Sequence, residues 1–91
     1  MATVLPLVRL VTAASDMEAV LSSGRLSLIP DEPIEVCLSP EGDGLYEIVD
    51  GHHRVAQAIR EGRTEVSAHI YAYFDDEPYE KPHFDFAAAA A

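Results

Sequence analysis

The sequence predicts a small α+β domain with a mixed β-sheet and two main helices. Its length of 91 residues is typical of one domain. The sequence contains apolar stretches of strand length and two stretches in which apolar residues have helical spacing. Turns that contain glycine or proline separate these stretches. The expected order of elements is β-α-β-β-α-β, which favours a mixed sheet over a purely parallel one.

The first part of the chain is expected to form an edge strand and a helix. The stretch from Val4 to Val11 is almost entirely apolar, and Pro6 within it cannot donate a ladder hydrogen bond, which favours an edge strand or a strand end. Ser15 and Glu18 have the spacing of a capping box that would open the first helix. Gly24 is placed to end that helix.

A hairpin, a second helix and a long strand are expected to follow. Apolar residues alternate in the first hairpin strand, and a cluster of turn-forming residues separates it from the returning strand. The expected ranges are a strand at 34–39, a turn at 40–44, a strand at 45–49, a helix at 52–61 and a strand at 66–74.

The predicted domain covers residues 1–74, and residues 75–91 form a separate tail. The tail is acidic, contains aromatic residues and prolines, and ends in five alanines. It is interpreted as a mobile segment or as an arm that docks on a partner. A homodimer, or a protein partner bound through the tail, is therefore expected.

The charge of the chain restricts its partners. Sixteen acidic residues against six basic ones give a formal net charge of −10, which argues against unaided binding to DNA or to an anionic membrane. Three of the basic residues, Arg54, Arg60 and Arg63, lie in one short stretch. Such a local positive site suits a small anion, and the alternative is a helix with a solvated basic face.

A cytoplasmic location without a membrane partner is expected. Cys37 is the only cysteine, so no internal disulfide can form and a reducing compartment fits. No apolar run approaches the roughly 18 residues that a membrane span needs. The first residues lack the basic region of a secretory signal.

Residues 50–54, Asp-Gly-His-His-Arg, are the main functional candidates. Gly51 follows a predicted strand and precedes a predicted helix, so the backbone can turn sharply and approach a ligand closely. The first amides of a helix lack internal partners and carry partial positive charge, so this order predicts an anion site. Arg54 can donate two hydrogen bonds to a phosphate, and His52 and His53 add further donors.

Each of these residues also has an ordinary structural explanation. Asp50 could cap the helix, orient a histidine or hold a metal ion that is bound to phosphate. His52 and His53 could be surface residues, and Arg54 could be solvated. The complete string is less common than its parts, and it favours the functional interpretation.

The string resembles a known family signature. Residues 48–54, followed by Ala56 and Gly62, resemble the ParB/sulfiredoxin-like superfamily, which has a strand, a Gly-x-His/Arg-Arg turn and an alanine-rich helix that ends in glycine. The predicted first helix with Gly24, then Pro-Ile-Glu-Val at 33–36, is similar to the lead-in of ParB N-terminal domains. The resemblance covers about residues 15–74.

The resemblance implies a nucleoside triphosphate or diphosphate, with or without Mg²⁺, at the turn of residues 50–54. Superfamily members include CTP-binding partition proteins, ATP-dependent sulfiredoxins, free-serine kinases and ParB-like nucleases. Sulfiredoxins have a nucleophilic cysteine where this chain has His52, so sulfinic-acid reduction is not expected. Partition proteins have further domains, so partition by this chain alone is not expected. The turn is also similar to that of the free-serine kinases, which are much longer.

Candidate catalytic residues are His53, Asp50 and Glu32. Asp31 and Glu32 lie in the loop before the hairpin. If that loop folds over a nucleotide, one of them could be a general base toward a substrate hydroxyl or a magnesium ligand. The alternative is a solvated loop acid.

The expected ligand-binding residues are Gly51, His52, His53 and Arg54. No metal ligand is assigned, because a zinc site formed from His52, His53 and His69 would match no known zinc spacing.

Several functions follow from these expectations. The first is a nucleotide- or phosphate-binding domain with phosphotransferase or nucleotide hydrolase activity. The second is a non-enzymatic ParB-like module that has a regulatory role or binds a protein or nucleic acid, and the third is a ParB-like nuclease. The sequence leaves open whether the chain is an enzyme.

DNA is expected not to be the primary ligand of the isolated chain. Duplex binding gains most of its free energy from neutralised phosphates, and the stretch from Arg54 to Arg63 could meet only a few of them. Fluorescence anisotropy with labelled duplex and single-stranded DNA near physiological salt should show weak binding that is lost steeply as salt rises. Sub-micromolar affinity for either DNA would contradict this expectation and favour the DNA-binding or nuclease alternatives.

Overall fold

The computed structural model of the protein describes residues 2–24, 32–39, 44–74 and 82–89. Its elements in chain order are β1 (Thr3–Pro6), a single 3₁₀ turn (Leu7–Arg9), β2 (Leu10–Val11), α1 (Ala14–Ser23), β3 (Ile34–Leu38), β4 (Tyr46–Asp50), α2 (His52–Arg60), β5 (Glu65–Phe74) and α3 (Phe86–Ala89). Asp31, residues 40–43 of the predicted turn and residues 75–81 of the predicted tail lie outside the described residues.

The strands form one five-stranded mixed sheet in the order β1-β5-β3-β4-β2. The β1–β5 and β3–β4 pairs are antiparallel, whereas β3–β5 and β2–β4 are parallel. The predicted α+β class with a mixed sheet is therefore confirmed, as is the antiparallel hairpin of β3 and β4.

The prediction of a single strand from Val4 to Val11 is wrong. β1 pairs with β5 at one edge of the sheet, and β2 pairs with β4 at the opposite edge. Only the turn Leu7–Arg9 joins them, so the sheet has to curl until its two edges come near each other. Leu7 is fully buried inside this curl, and its N–H donates to the carbonyl of Thr64 at 2.9 Å.

The predicted capping box does not form. α1 begins at Ala14, its N-cap is Ala13, and no side chain caps it. The N–H of Ala14 instead donates to the carbonyl of Pro82 at 2.8 Å, so a distant segment satisfies an amide that a local cap would otherwise serve. Gly24 ends the helix in the left-handed conformation with φ of 67°, as predicted.

The described C-terminal residues, 82–89, pack against the domain. His83 forms a bridge with Ala13, and the N–H of Phe84 donates to the carbonyl of Thr12 at 3.0 Å. Phe86 is only 3% exposed and belongs to the core cluster. This part of the predicted tail lies on its own domain, because Phe86 belongs to the core cluster and Phe84 packs against it. The acidic composition of the tail did not indicate this burial.

The core lies between the sheet and the helices. Helical spacing in the sequence predicts an apolar face of Val55, Ala56 and Ile59, with Ala58 beside it. In the structure Val55, Ala56 and Ala58 are buried, and Ile59 is partly buried against the core. Cys37 is buried in β3, at 1% exposure. The core cluster consists of Leu5, Leu7, Leu10, Met17, Ile34, Val36, Ile48, Val55, Ala56, Ala68 and Phe86.

Across the described ranges, no helix combines the length and apolar character needed to cross a membrane.

Phe86→Ala should test the docking of the C-terminal segment. Loss of a buried phenylalanine creates a cavity and should lower the free energy of unfolding by about 3–5 kcal/mol, as measured by urea denaturation. Val8→Ala is the control, since Val8 is 52% exposed, and it should change stability by less than about 0.5 kcal/mol. Equal effects of the two substitutions would show that residues 82–89 do not pack as described.

Candidate functional site

The turn from β4 into α2 depends on Gly51. Its φ is 109°, a left-handed value that L side chains rarely adopt. A Cβ at this position would lie 2.7 Å from Cγ2 and 2.8 Å from Cβ of Ile34. Glycine is therefore required both by the backbone conformation and by the close approach of the turn to β3.

Asp50 does not cap α2, which corrects one of the explanations considered for it. The N-cap is Gly51, and no side chain makes a cap hydrogen bond. The carboxylate Oδ2 of Asp50 instead lies 3.3 Å from Nη2 of Arg54, one helical turn along. The first amides of α2 are thus left without a side-chain cap.

Arg54 joins the start of α2 to the segment that enters β3. Its Nη1 donates to the carbonyls of Pro33 at 2.9 Å and Glu32 at 3.3 Å, and it lies 3.5 Å from the Glu32 carboxylate. The side chain is 13% exposed. The fold therefore brings the candidates Glu32 and Asp50 together around the guanidinium of Arg54.

His52 points toward the end of β2. Its Nε2 lies 3.0 Å from Oγ1 of Thr12, which is 1% exposed. Burial lowers the pKa of His52 below its usual value, and the neighbouring His53 lowers it further, while the carboxylates of Asp16 and Asp50 oppose the shift. The neutral imidazole is consequently the favoured form at neutral pH.

His53 has a buried ring nitrogen, Nδ1, that makes no hydrogen bond in the structure. Buried polar atoms usually have a partner, so such an atom beside an open cleft indicates where a ligand or water would bond. Among the described site residues, His53 is the one with a buried side-chain atom that has no hydrogen-bond partner.

A cleft of about 470 Å³ opens at this turn. It lies between α1 and the first turn of α2, so its walls come from two helices that are distant in sequence. Its lining residues are Asp16, Ala19, Val20, Asp50, Gly51, His52, His53 and Arg54. Four of these were the predicted ligand-binding residues, Gly51, His52, His53 and Arg54.

Sequence reasoning missed Thr12 and Asp16. Thr12 lies within an apolar run, and Asp16 was assigned to a capping box, so neither carried a signal of its own. The contacts of Thr12 with His52 and of Asp16 with the cleft depend on how α1 meets α2.

The other arginines of the basic stretch have separate partners. Arg60 donates to the carbonyls of Val20 and Leu21, at the end of α1, and Arg63 pairs with Glu61 at 3.6 Å. Arg54 and Arg63 both line a cavity beside the site, whereas Arg60 does not line it.

A second, smaller cavity of about 170 Å³ shares Arg54 with the cleft. Its other polar lining residues are Glu32, Gln57, Glu61, Arg63 and Ser67. Glu32 thus lies in the neighbouring cavity, whereas His53 and Asp50 line the larger cleft.

Within the described ranges, no group of three or more His, Cys, Asp or Glu side chains could hold a metal ion. His52, His53 and His69 accordingly do not form a zinc site.

Comparison with known proteins found no matching family model, no matching curated protein and no matching solved structure.

Gly51→Ala should show how strongly the site depends on this turn. The methyl group would strain the backbone and overlap Ile34, and overpacking of this kind costs about 1–3 kcal/mol. Gly62→Ala is a matched control, because its φ is also left-handed at 73° but nothing lies within 4 Å of an added Cβ. The free energy of unfolding, from chemical denaturation, should therefore fall by about 1–3 kcal/mol more for Gly51→Ala than for Gly62→Ala. Equal losses would mean that the contact with Ile34 is unimportant.

Proposed function

We propose that this chain is a nucleotide- or phosphate-binding domain of the ParB/sulfiredoxin-like fold, with the phosphate held at the turn of residues 50–54. The observation that carries the proposal is the uncapped start of α2, which opens on a cleft lined by His52, His53 and Arg54. The mixed sheet and the order of strand, glycine turn and helix are consistent with the proposed fold.

Uncapped helix amides favour an anion. The first N–H groups of a helix have no internal acceptor, and the helix dipole places roughly half a positive charge at this end. In α2 the residues with these amides include His52 and His53, which also line the cleft. A phosphate at this position would receive backbone hydrogen bonds that no capping side chain among the described residues competes for.

Arg54 retains capacity to bind phosphate despite its internal contacts. A guanidinium has five N–H donors, and the contacts with Glu32, Pro33 and Asp50 use Nη1 and Nη2. Nε has no partner among the described residues. Its neighbours also hold the guanidinium in place, which reduces the entropy lost when a ligand binds.

Two carboxylates in the lining oppose an anion. Asp16 and Asp50 both face the cleft, and Arg54 offsets only one of the two charges. A nucleotide that arrives with Mg²⁺ brings the missing positive charge, since Mg²⁺ is commonly bound through substrate phosphates. We therefore expect nucleotide affinity to increase when Mg²⁺ is present.

Phosphotransferase or nucleotide hydrolase activity is the further part of the proposal. His53 and Asp50 line the cleft, and Glu32 lies in the adjoining cavity across Arg54. An acceptor in that cavity would be next to the phosphate, with Glu32 as the candidate general base. Release or transfer of phosphate from a bound nucleotide distinguishes this activity from binding alone.

Isothermal calorimetry with inorganic phosphate, ATP and CTP, with and without Mg²⁺, should detect binding to the wild type. Arg54→Ala should weaken that binding by about 1.5–3 kcal/mol, the range for hydrogen bonds to charged groups. Arg60→Ala is the matched control, because Arg60 is also an α2 arginine bonded to backbone carbonyls but does not line the cleft.

Binding that Arg54→Ala and Arg60→Ala weaken equally would locate the ligand elsewhere or show a general loss of folding. If none of the three ligands binds, the proposal is refuted for this protein.

A further inference from the structure

The contact between Thr12 and His52 joins a buried hydroxyl to a residue that lines the cleft. Thr12 is 1% exposed, and the bond from its Oγ1 to Nε2 of His52 is the one that the described structure gives its hydroxyl. The two residues are 40 positions apart in the chain. Their contact therefore depends on the tertiary fold.

The direction of this hydrogen bond follows from the burial of the hydroxyl. A buried O–H that donates to nothing loses free energy, whereas an oxygen lone pair without a partner costs less. The hydroxyl satisfies its hydrogen only by donating to Nε2. Nε2 must then be the acceptor, and the proton of a neutral imidazole must be on Nδ1.

We propose that Thr12 is a positioning residue, which holds His52 in the neutral Nδ1–H form so that the imidazole presents a fixed donor to the ligand. The inference deepens the proposed function and rests on it as far as the ligand is concerned. His52 lines the cleft, and its Nδ1 has no partner among the described residues.

The main chain around Thr12 holds the hydroxyl in place. β2 ends at Val11, one residue before Thr12, and pairs with β4, which leads into α2. On the other side, the carbonyl of Thr12 accepts from the N–H of Phe84 at 3.0 Å. Thr12 is thus fixed between the sheet and the C-terminal segment, and its hydroxyl cannot follow His52 if the ring turns.

The charged surroundings of His52 do not reverse this assignment. Asp16 on α1 and Asp50 on β4 favour a protonated ring, and His53 on α2 opposes it. Burial has the largest effect and lowers the pKa, which agrees with a neutral ring near pH 7. A protonated ring would carry a hydrogen on Nε2 and leave the hydroxyl hydrogen of Thr12 without an acceptor.

The tautomer can be read directly by NMR in ligand-free protein with ¹⁵N-labelled histidine. Long-range ¹H–¹⁵N correlation near neutral pH should show the Nδ1–H form for His52 in the wild type. Thr12→Val keeps the shape of the side chain without the hydroxyl, and His52 should shift toward the Nε2–H form that free imidazole side chains prefer. Thr12→Ser should restore the wild-type pattern. His69, which is exposed on β5, serves as the internal control and should not change.

An Nε2–H form in the wild type, or unchanged ring nitrogen shifts in Thr12→Val, would overturn the inference. Because the protein is ligand-free, this result does not depend on whether phosphate binds.

Calorimetry on the same variants tests the link to the ligand. Thr12→Val should weaken phosphate binding about threefold to tenfold, the effect of one neutral hydrogen bond, and Thr12→Ser should not. If the wild type binds phosphate and Thr12→Val binds it equally well, the positioning role is refuted while the proposed function stands. If the wild type binds no phosphate, the proposed function fails, and the NMR result alone decides how Thr12 acts on His52.

Discussion

The close contact of Gly51 with Ile34 is the constraint on which the site depends. Because no Cβ separates them, the turn after β4 lies directly against β3, and α2 starts within reach of the segment before that strand. Arg54, in the first turn, can then donate to the carbonyls of Glu32 and Pro33. A side chain at position 51 would push the turn away from β3 and separate the guanidinium from these acceptors.

The curl of the sheet supplies the other wall of the site. The N-terminal segment pairs first with β5 and, after a single turn, with β4 at the opposite edge. This course delivers Thr12 to His52 and places α1 beside α2, so that Asp16 faces the cleft. The C-terminal segment completes the arrangement, because its carbonyl and amide groups bond the chain on both sides of Ala13. Parts of the chain that are distant in sequence therefore form one cleft.

The arginines of the described residues make contacts within the fold. Arg9 donates to the carbonyl of Gly44, Arg60 to carbonyls at the end of α1, and Arg54 to those before β3. These contacts hold loops and helix ends, and they leave a formal net charge of −10 to act on the surroundings. In the proposed function, an anion would bind through the uncapped amides of α2, the side chains of His52 and Arg54, and an accompanying cation.

The sequence by itself determined the local structure: the α+β class, the hairpin, the apolar face of α2 and the glycine turn with its neighbouring histidines. These features depend on periodicity and on residues that only one backbone conformation accommodates, and both can be read within a few positions. The tertiary structure decided which edges the N-terminal segment joins, what satisfies the start of α1, that Thr12 contacts His52 and that Asp16 lines the cleft. Those outcomes depend on the packing of residues tens of positions apart, such as Thr12 and His52, and the curl of the sheet sets which distant groups meet. The role of Asp50 is set more locally, because Arg54 lies four residues along the chain within reach of its carboxylate, and the sequence alone did not distinguish this contact from a helix cap.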